Sequence, residues 1–301
     1  MSYAISGYVE ATKTALDEKI SAGEFSAIQA ATADLLVALN AEEKFAIVAD
    51  NLNEFERELL QATQNHILSS DSGYVLAMNV RREIDRRLIN LLSACRLYFD
   101  QITHLVSSTF GSNSPEEKRI NDKRHDLYDH SFAYRMMEAL RNFVQHRGLA
   151  IENISFNLHR VESGAGVFLE ASVIPRLSVD VLEADAEFKK DVLDELKERG
   201  GIIDIRPIAR EYISRIFEVH QLIRELIGAR ADAAVKLLRD WISRYASALF
   251  LEAIERGEHG EAIQRTQLFP EFIDHYEGLK NKFRNLKLLA QLYVSSAPEK
   301  K

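Results

Sequence analysis

Arg141, Asn142 and His146 lie within six residues of one another, and their side chains are the equipment for cutting a phosphodiester without a metal. An arginine grips a phosphate through two parallel hydrogen bonds, and a histidine exchanges a proton near neutral pH. Spacing alone does not single them out. Chance supplies about two Arg–His pairs four to six residues apart in a chain of this composition. This chain has four: Arg119 with His125, Arg124 with His130, Arg141 with His146 and Arg215 with His220.

Context separates the four. At 100° per residue, positions 131–146 gather Phe132, Ala133, Met136, Met137, Leu140, Phe143 and Val144 on one side, a core stripe. Ser131, Arg135, Glu138, Asn142 and His146 step along the other side at intervals of four, three, four and four. Asn142 and His146 are i,i+4 neighbours, so the amide is expected to hold one ring nitrogen and leave the other free. Arg141 stands about 140° around the axis from His146 but is long enough to swing toward a ligand above Asn142. Gly148 predicts the helix end, which puts His146 in the last turn, beside the negative end of the helix dipole, a position suited to a general acid. That same dipole repels a phosphate, so Arg141 and Arg147 must offset it. Arg124, Arg135 and Arg147 are the candidate contacts to an RNA backbone. In the Arg215–His220 pair the intervening residues include no polar partner beside the arginine, which predicts a helix-packing surface.

The run Arg141-Asn142-Phe143-Val144-Gln145-His146 at the end of a helix resembles the Arg-polar-x-x-x-His signature of the HEPN superfamily. The resemblance covers about 20 residues, from Tyr128 to Gly148. It implies a helical bundle and a metal-independent ribonuclease of the toxin–antitoxin or phage-defence kind, with the ribose 2′-hydroxyl as nucleophile. It further implies Arg141 and His146 as catalytic residues supported by Asn142, a site at a homodimer interface, no cofactor, and a possible antitoxin or other regulatory protein as partner. The reading from a different class is a noncatalytic helical module that binds a partner protein or a nucleotide.

Composition bounds these readings. With 46% hydrophobic and 28% charged residues, the 301-residue chain can build one large core or two smaller ones. A formal charge of −8 argues against a general nucleic-acid coat, so RNA contact is expected to be local. The sole cysteine, Cys95, leaves no partner for an internal disulfide and no multi-cysteine zinc site, and its apolar neighbours predict a core position. The absence of a signal-peptide pattern and of a membrane-length apolar run points to a cytoplasmic protein. No Gly-rich phosphate loop, His-Glu-x-x-His or Gly-x-Ser-x-Gly is present, which disfavours NTPase, zinc-protease and serine-hydrolase chemistry.

The pattern predicts a mainly α chain: a helical bundle carrying the motif over residues 1–150, then a β-hairpin and C-terminal helices over 151–301. Helices are expected at 6–20, 26–38, 40–68 and 74–110, with a break at Ser70-Asp71-Ser72-Gly73. A further helix should run from the capping box Ser114-Pro115-Glu116-Glu117 to His146, bent near residues 129–131. Alternation at 154–161 and 167–174 around Ser163-Gly164-Ala165-Gly166 predicts the hairpin. Later helices are expected at 186–199, 207–227, 231–256 and 281–294, with a frayed tail at 295–301. Arg81, Arg82, Arg86 and Arg87 form the most basic cluster, read either as a solvated face with Arg81–Asp85 and Glu83–Arg87 pairs or as an RNA track.

Overall fold

The computed structural model describes residues 1–9, 11–69, 73–163 and 166–294. The predicted break at Ser70 to Ser72, the Gly164-Ala165 turn and the tail 295–301 lie outside the described residues. The chain is predominantly α-helical and carries two small antiparallel sheets. It forms two compact units whose segments interleave along the sequence. One comprises Met1–Lys44, Leu105–Glu116 and His220–Arg284, the other Phe45–His104, Glu117–Val219 and Asn285–Lys301.

The first unit holds the sheet β2-β1-β6-β7, with β1 at Ser2–Val9, β2 at Thr14–Ile20, β6 at Ala248–Arg256 and β7 at Ala262–Gln267. The expected helix over 6–20 is therefore a hairpin, and the expected helix over 231–256 gives way to strand after residue 244. Pairing overrides propensity in both places. Ile5 opposes Ala253 in the β1–β6 ladder, and both side chains are buried. Gly7 is needed there because a Cβ would come within 2.5 Å of the Phe250 carbonyl oxygen. This unit also takes residues 22–44 of α1 (Ala22–Leu68), residues 220–244 of α7 (Ile205–Arg244) and α8 (Pro270–Lys282). Ser21 opens α1 with a reciprocal cap. Its hydroxyl accepts the Glu24 N–H at 3.1 Å, and Glu24 accepts the Ser21 N–H at 2.8 Å. Asn40, expected to cap a new helix, donates to the Leu36 carbonyl at 2.9 Å and α1 runs on uninterrupted. Gly228 is likewise absorbed into α7, and the expected 281–294 helix is only a short 3₁₀ turn at Leu289–Gln291.

His220, expected at a helix-packing surface, is fully buried, with Nε2 3.3 Å from a Glu42 carboxylate oxygen. Arg224 grips the same carboxylate in a fork, at 2.7 and 2.6 Å. Burial pushes the Glu42 carboxyl up, but the hydrogen bonds and charges of His220 and Arg224 outweigh it and hold it below the usual range. Burial also lowers His220.

The second unit contains α1 residues 45–68, α2 (Tyr74–Phe110) up to residue 104, α3 (Pro115–His130) from residue 117, α4 (Phe132–His146), α5 (Val179–Glu183), α6 (Lys190–Glu198) and α7 residues 205–219. Its sheet is β3-β4-β5, at Asn153–Ser163, Gly166–Ser178 and Ile202–Asp204. An aromatic cluster fills the core: Phe45 lies 5.9 Å from Tyr98 and 5.5 Å from Phe217, and Tyr134 lies 5.5 Å from Tyr212. Cys95 is buried, and burial pushes its thiol well up. The single helix expected over 114–146 is two. Ser131 leaves helical geometry at φ −118° and its hydroxyl accepts the Tyr134 N–H at 3.3 Å, starting α4 afresh. α6 starts four residues later than expected, after the separate α5, and ends where Gly200 and Gly201 adopt φ of 103° and 74°. In the basic cluster the charges of Arg81 and Arg87 act on Asp85 and Glu83 as expected, but the closest contacts are others. Glu83 takes Arg86 at 2.8 Å, Arg87 reaches Glu54, and Arg81 donates to the Glu152 carbonyl at 3.2 Å.

Among the described residues, no helix is long and apolar enough to cross a membrane.

Candidate functional site

The core stripe of α4 fixes which way its polar face looks. Met136, Met137 and Leu140 have no exposed surface, so Glu138, Asn142 and His146 turn outward in register. The helix stops at His146, with the Arg147 N–H returning to the Phe143 carbonyl at 2.8 Å. Just beyond, Asp85 of α2 accepts the Ile151 N–H at 2.9 Å and pins the segment leaving the helix.

A trough runs along this face. Its first hollow, about 240 Å³, is walled by Asn121, Arg124, His125 and Tyr128 of α3 and by Tyr134, Glu138 and Asn142 of α4. The α3 residues sit at i, i+3, i+4 and i+7 and the α4 residues at i, i+4 and i+8, so each set is one helical face. Lys189, just before α6, closes the end. A second hollow, about 340 Å³, shares Asn142 and Lys189 and adds His146, Arg147, Asp185 and Glu187 over a floor of Ala139, Phe143 and Phe188.

Ring contacts and hydrogen bonds hold the side chains of the first hollow. Arg124 lies 4.4 Å from the Phe99 ring centre and hydrogen-bonds Tyr134, whose hydroxyl is pushed up to about 12, first by burial and then by the Glu138 charge. Glu138 accepts the Tyr212 hydroxyl from behind, and burial with that same charge drives Tyr212 well above its ordinary range. The Lys189 ammonium sits 4.4 Å over the Tyr128 ring and donates to its hydroxyl. The trough thus offers two imidazoles, two cations held by aromatic rings, and two amides that can reach a ligand.

The residues singled out from the sequence distribute unevenly around it. Asn142 and His146 line the trough. Arg141 does not. Its guanidinium donates to the Asn142 amide oxygen at 2.6 Å and to Gln145 at 3.2 Å, while its Nε is buried without a hydrogen-bond partner. The structure therefore joins the Asn142 oxygen to Arg141, where the sequence reading joined this amide to His146. Arg124 lines the first hollow and Arg147 the second, but Arg147 is engaged by Asp185 at 3.2 Å and Glu187 at 2.7 Å. Arg135 points elsewhere. It closes the end of α3 by donating to the Tyr128 and Asp129 carbonyls at 2.7 and 2.8 Å and pairs with Glu195 at 2.6 Å.

Sequence reasoning missed His125 as a wall of this trough, naming it only as the partner of Arg119 in one of the four Arg–His pairs. The signal was the polar face formed by Asn121, Arg124, His125 and Tyr128. Lys189 carries no local signal, because it reaches the trough from 43 residues beyond His146. Among the described residues, no cluster of three or more His, Cys, Asp or Glu is arranged to hold a metal ion. Comparison of the chain with protein-family models, with curated proteins and with solved structures finds no match.

Proposed function

We propose that the chain is a metal-independent endoribonuclease working in this trough, on a helical bundle of the kind that the Arg141–His146 run resembles. The observation that supports the reading is the convergence of motif residues Asn142 and His146 with Arg124, His125 and Lys189 around two adjoining hollows that share Asn142 and Lys189. Those are the groups that 2′-hydroxyl attack on a phosphodiester needs: proton carriers for the attacking and leaving oxygens, and cations for the charge that builds on the phosphoryl oxygens. His146 handles a proton and Arg124 with Lys189 neutralises the phosphate. Arg141 acts through Asn142 as a positioning residue. The reading carries a cytoplasmic setting in toxin–antitoxin or phage defence, RNA as substrate, a second copy of the chain as partner, and an antitoxin-like protein as a regulator.

The test is incubation of purified protein with total RNA in excess EDTA. Cleavage should persist and leave 2′,3′-cyclic phosphate and 5′-hydroxyl ends, and His146→Ala should lower the rate by about 10²- to 10⁴-fold with the fold intact. A strict requirement for magnesium or manganese, or no cleavage at all, overturns it. A second reading, nucleotide binding without cleavage, is favoured by one observation: Glu138, Asp185 and Glu187 place three carboxylates along the trough, which suits a single nucleotide better than a long polyanion. Saturable nucleotide binding by a protein that leaves RNA uncut would select it.

A further inference from the structure

We infer that His125 is the second proton-transfer group of this site, so that His125 and His146 of the same chain serve one phosphodiester between them. The inference rests on the reading of the trough as a ribonuclease site and deepens it. His125 and Asn142 wall the first hollow, and Asn142 and His146 wall the second. Asn142 precedes His146 by one helical turn, about 6 Å along the axis. A phosphate held at Asn142 therefore has His125 in the hollow on one side and His146 in the hollow on the other, with Lys189 bordering both.

A single histidine must both remove a proton from the 2′-hydroxyl and supply one to the 5′-oxygen, on opposite sides of an in-line displacement. Two histidines divide that work. One imidazole takes the 2′-hydroxyl proton as the O2′–P bond forms, and the other, protonated, gives its proton to the 5′-oxygen as the P–O5′ bond breaks. The products are a 2′,3′-cyclic phosphate and a 5′-hydroxyl. No water is consumed, and one proton has moved from one histidine to the other. The charged and titratable groups facing the pair are Arg124, Tyr128, Tyr134, Glu138 and Lys189 around His125, and Arg147, Asp185, Glu187 and Lys189 around His146. Both histidines are exposed, so replacing either leaves the core untouched.

Three measurements test this on the full chain. In cleavage assays His125→Ala should lose about 10²- to 10⁴-fold in rate and one limb of the bell-shaped pH profile, as His146→Ala loses the other, whereas His130→Ala, an exposed α3 histidine outside the trough, should match the wild type. Mixing His125→Ala with His146→Ala should restore nothing, because no chain then holds both groups. Titration with inorganic phosphate, followed by NMR of the imidazole protons, should move the His125 and His146 signals with one common midpoint. A fully active His125→Ala, or recovery of activity on mixing, overturns the two-histidine arrangement within one chain while leaving the ribonuclease reading standing. Shared phosphate shifts in a wild-type protein that never cuts RNA sustain the joint anion site and sink the ribonuclease reading. Absence of any shift at His125 overturns the inference itself.

Discussion

Replacing Asp85 by asparagine should make the stability difference between variant and wild type swing with pH, by an amount that follows from its surroundings. The side chain is fully buried on α2, with Oδ1 accepting the Ile151 N–H at 2.9 Å and Oδ2 without a hydrogen-bond partner. Burial pushes this carboxyl up to about 6 from an ordinary 3.8, against the pull of the Ile151 and Ala150 amides and of Arg81. Between pH 4 and pH 6 the folded protein therefore keeps a proton that the unfolded chain has released. Stability falls as pH rises through that window, and the cost is complete near pH 7, about a unit above the folded value. At 1.36 kcal/mol per pH unit, the gap of roughly two units amounts to about 3 kcal/mol. Asparagine retains the acceptor oxygen and never ionises. Urea unfolding of both proteins at half-unit steps should show the difference moving by about 2–3 kcal/mol in favour of asparagine from pH 4 to pH 7, while other titrations cancel in the comparison. A difference that stays flat, or that moves toward the wild type, would refute the assignment of a strained buried carboxylate.

Glu42→Gln should cost about 3–5 kcal/mol in thermal melting, because Arg224 would keep its buried charge without a carboxylate. In the wild type, Glu42 is held low and contributes stability above its ordinary range that is lost as pH falls through its folded value. His220, lowered by burial, adds a loss in the same direction below about pH 6.5, so acidification should weaken this cluster and urea midpoints at pH 7 and 5 should show it. Gly7→Ala should cost about 1–3 kcal/mol in the same melts, since the new methyl must displace the Phe250 carbonyl. Ser131→Ala should cost about 0.5–2 kcal/mol and speed hydrogen exchange at the Tyr134 amide that it caps.

What the sequence disclosed was local. The capping box at Ser114 to Glu117 marked the start of α3, the apolar stripe of Met136, Met137, Leu140 and Phe143 oriented α4, and alternation exposed the β3–β4 hairpin. Each of these signals is written within about ten residues. Errors fell where distant segments decide. Glu252, Ala253 and Glu255 are good helix formers, yet they lie in β6 because β1 pairs beside them. The expected interruptions between 38 and 40 and between 227 and 231 are absent because the packing that carries a helix through Asn40 and Gly228 is not a local property. The trough divides the same way. Asn142 and His146 were readable from one helix, whereas Lys189 and the α3 face meet them only through tertiary structure, and the hydrogen bonds of Arg141 to Asn142 and Gln145 were not legible in its spacing.

The pairing of β1 with β6 also sets a timetable for synthesis. Tyr3 donates to Glu255, 252 residues later. At about 5–20 residues per second a ribosome needs roughly 10–50 s to cover that interval. Through it, β1 can pair only with β2, and the backbone edge facing β6 stays open to other strands. The nascent chain therefore passes that interval with this edge unprotected, a window in which a chaperone, or the exposed edge of a neighbouring nascent copy, competes for the place that β6 finally takes.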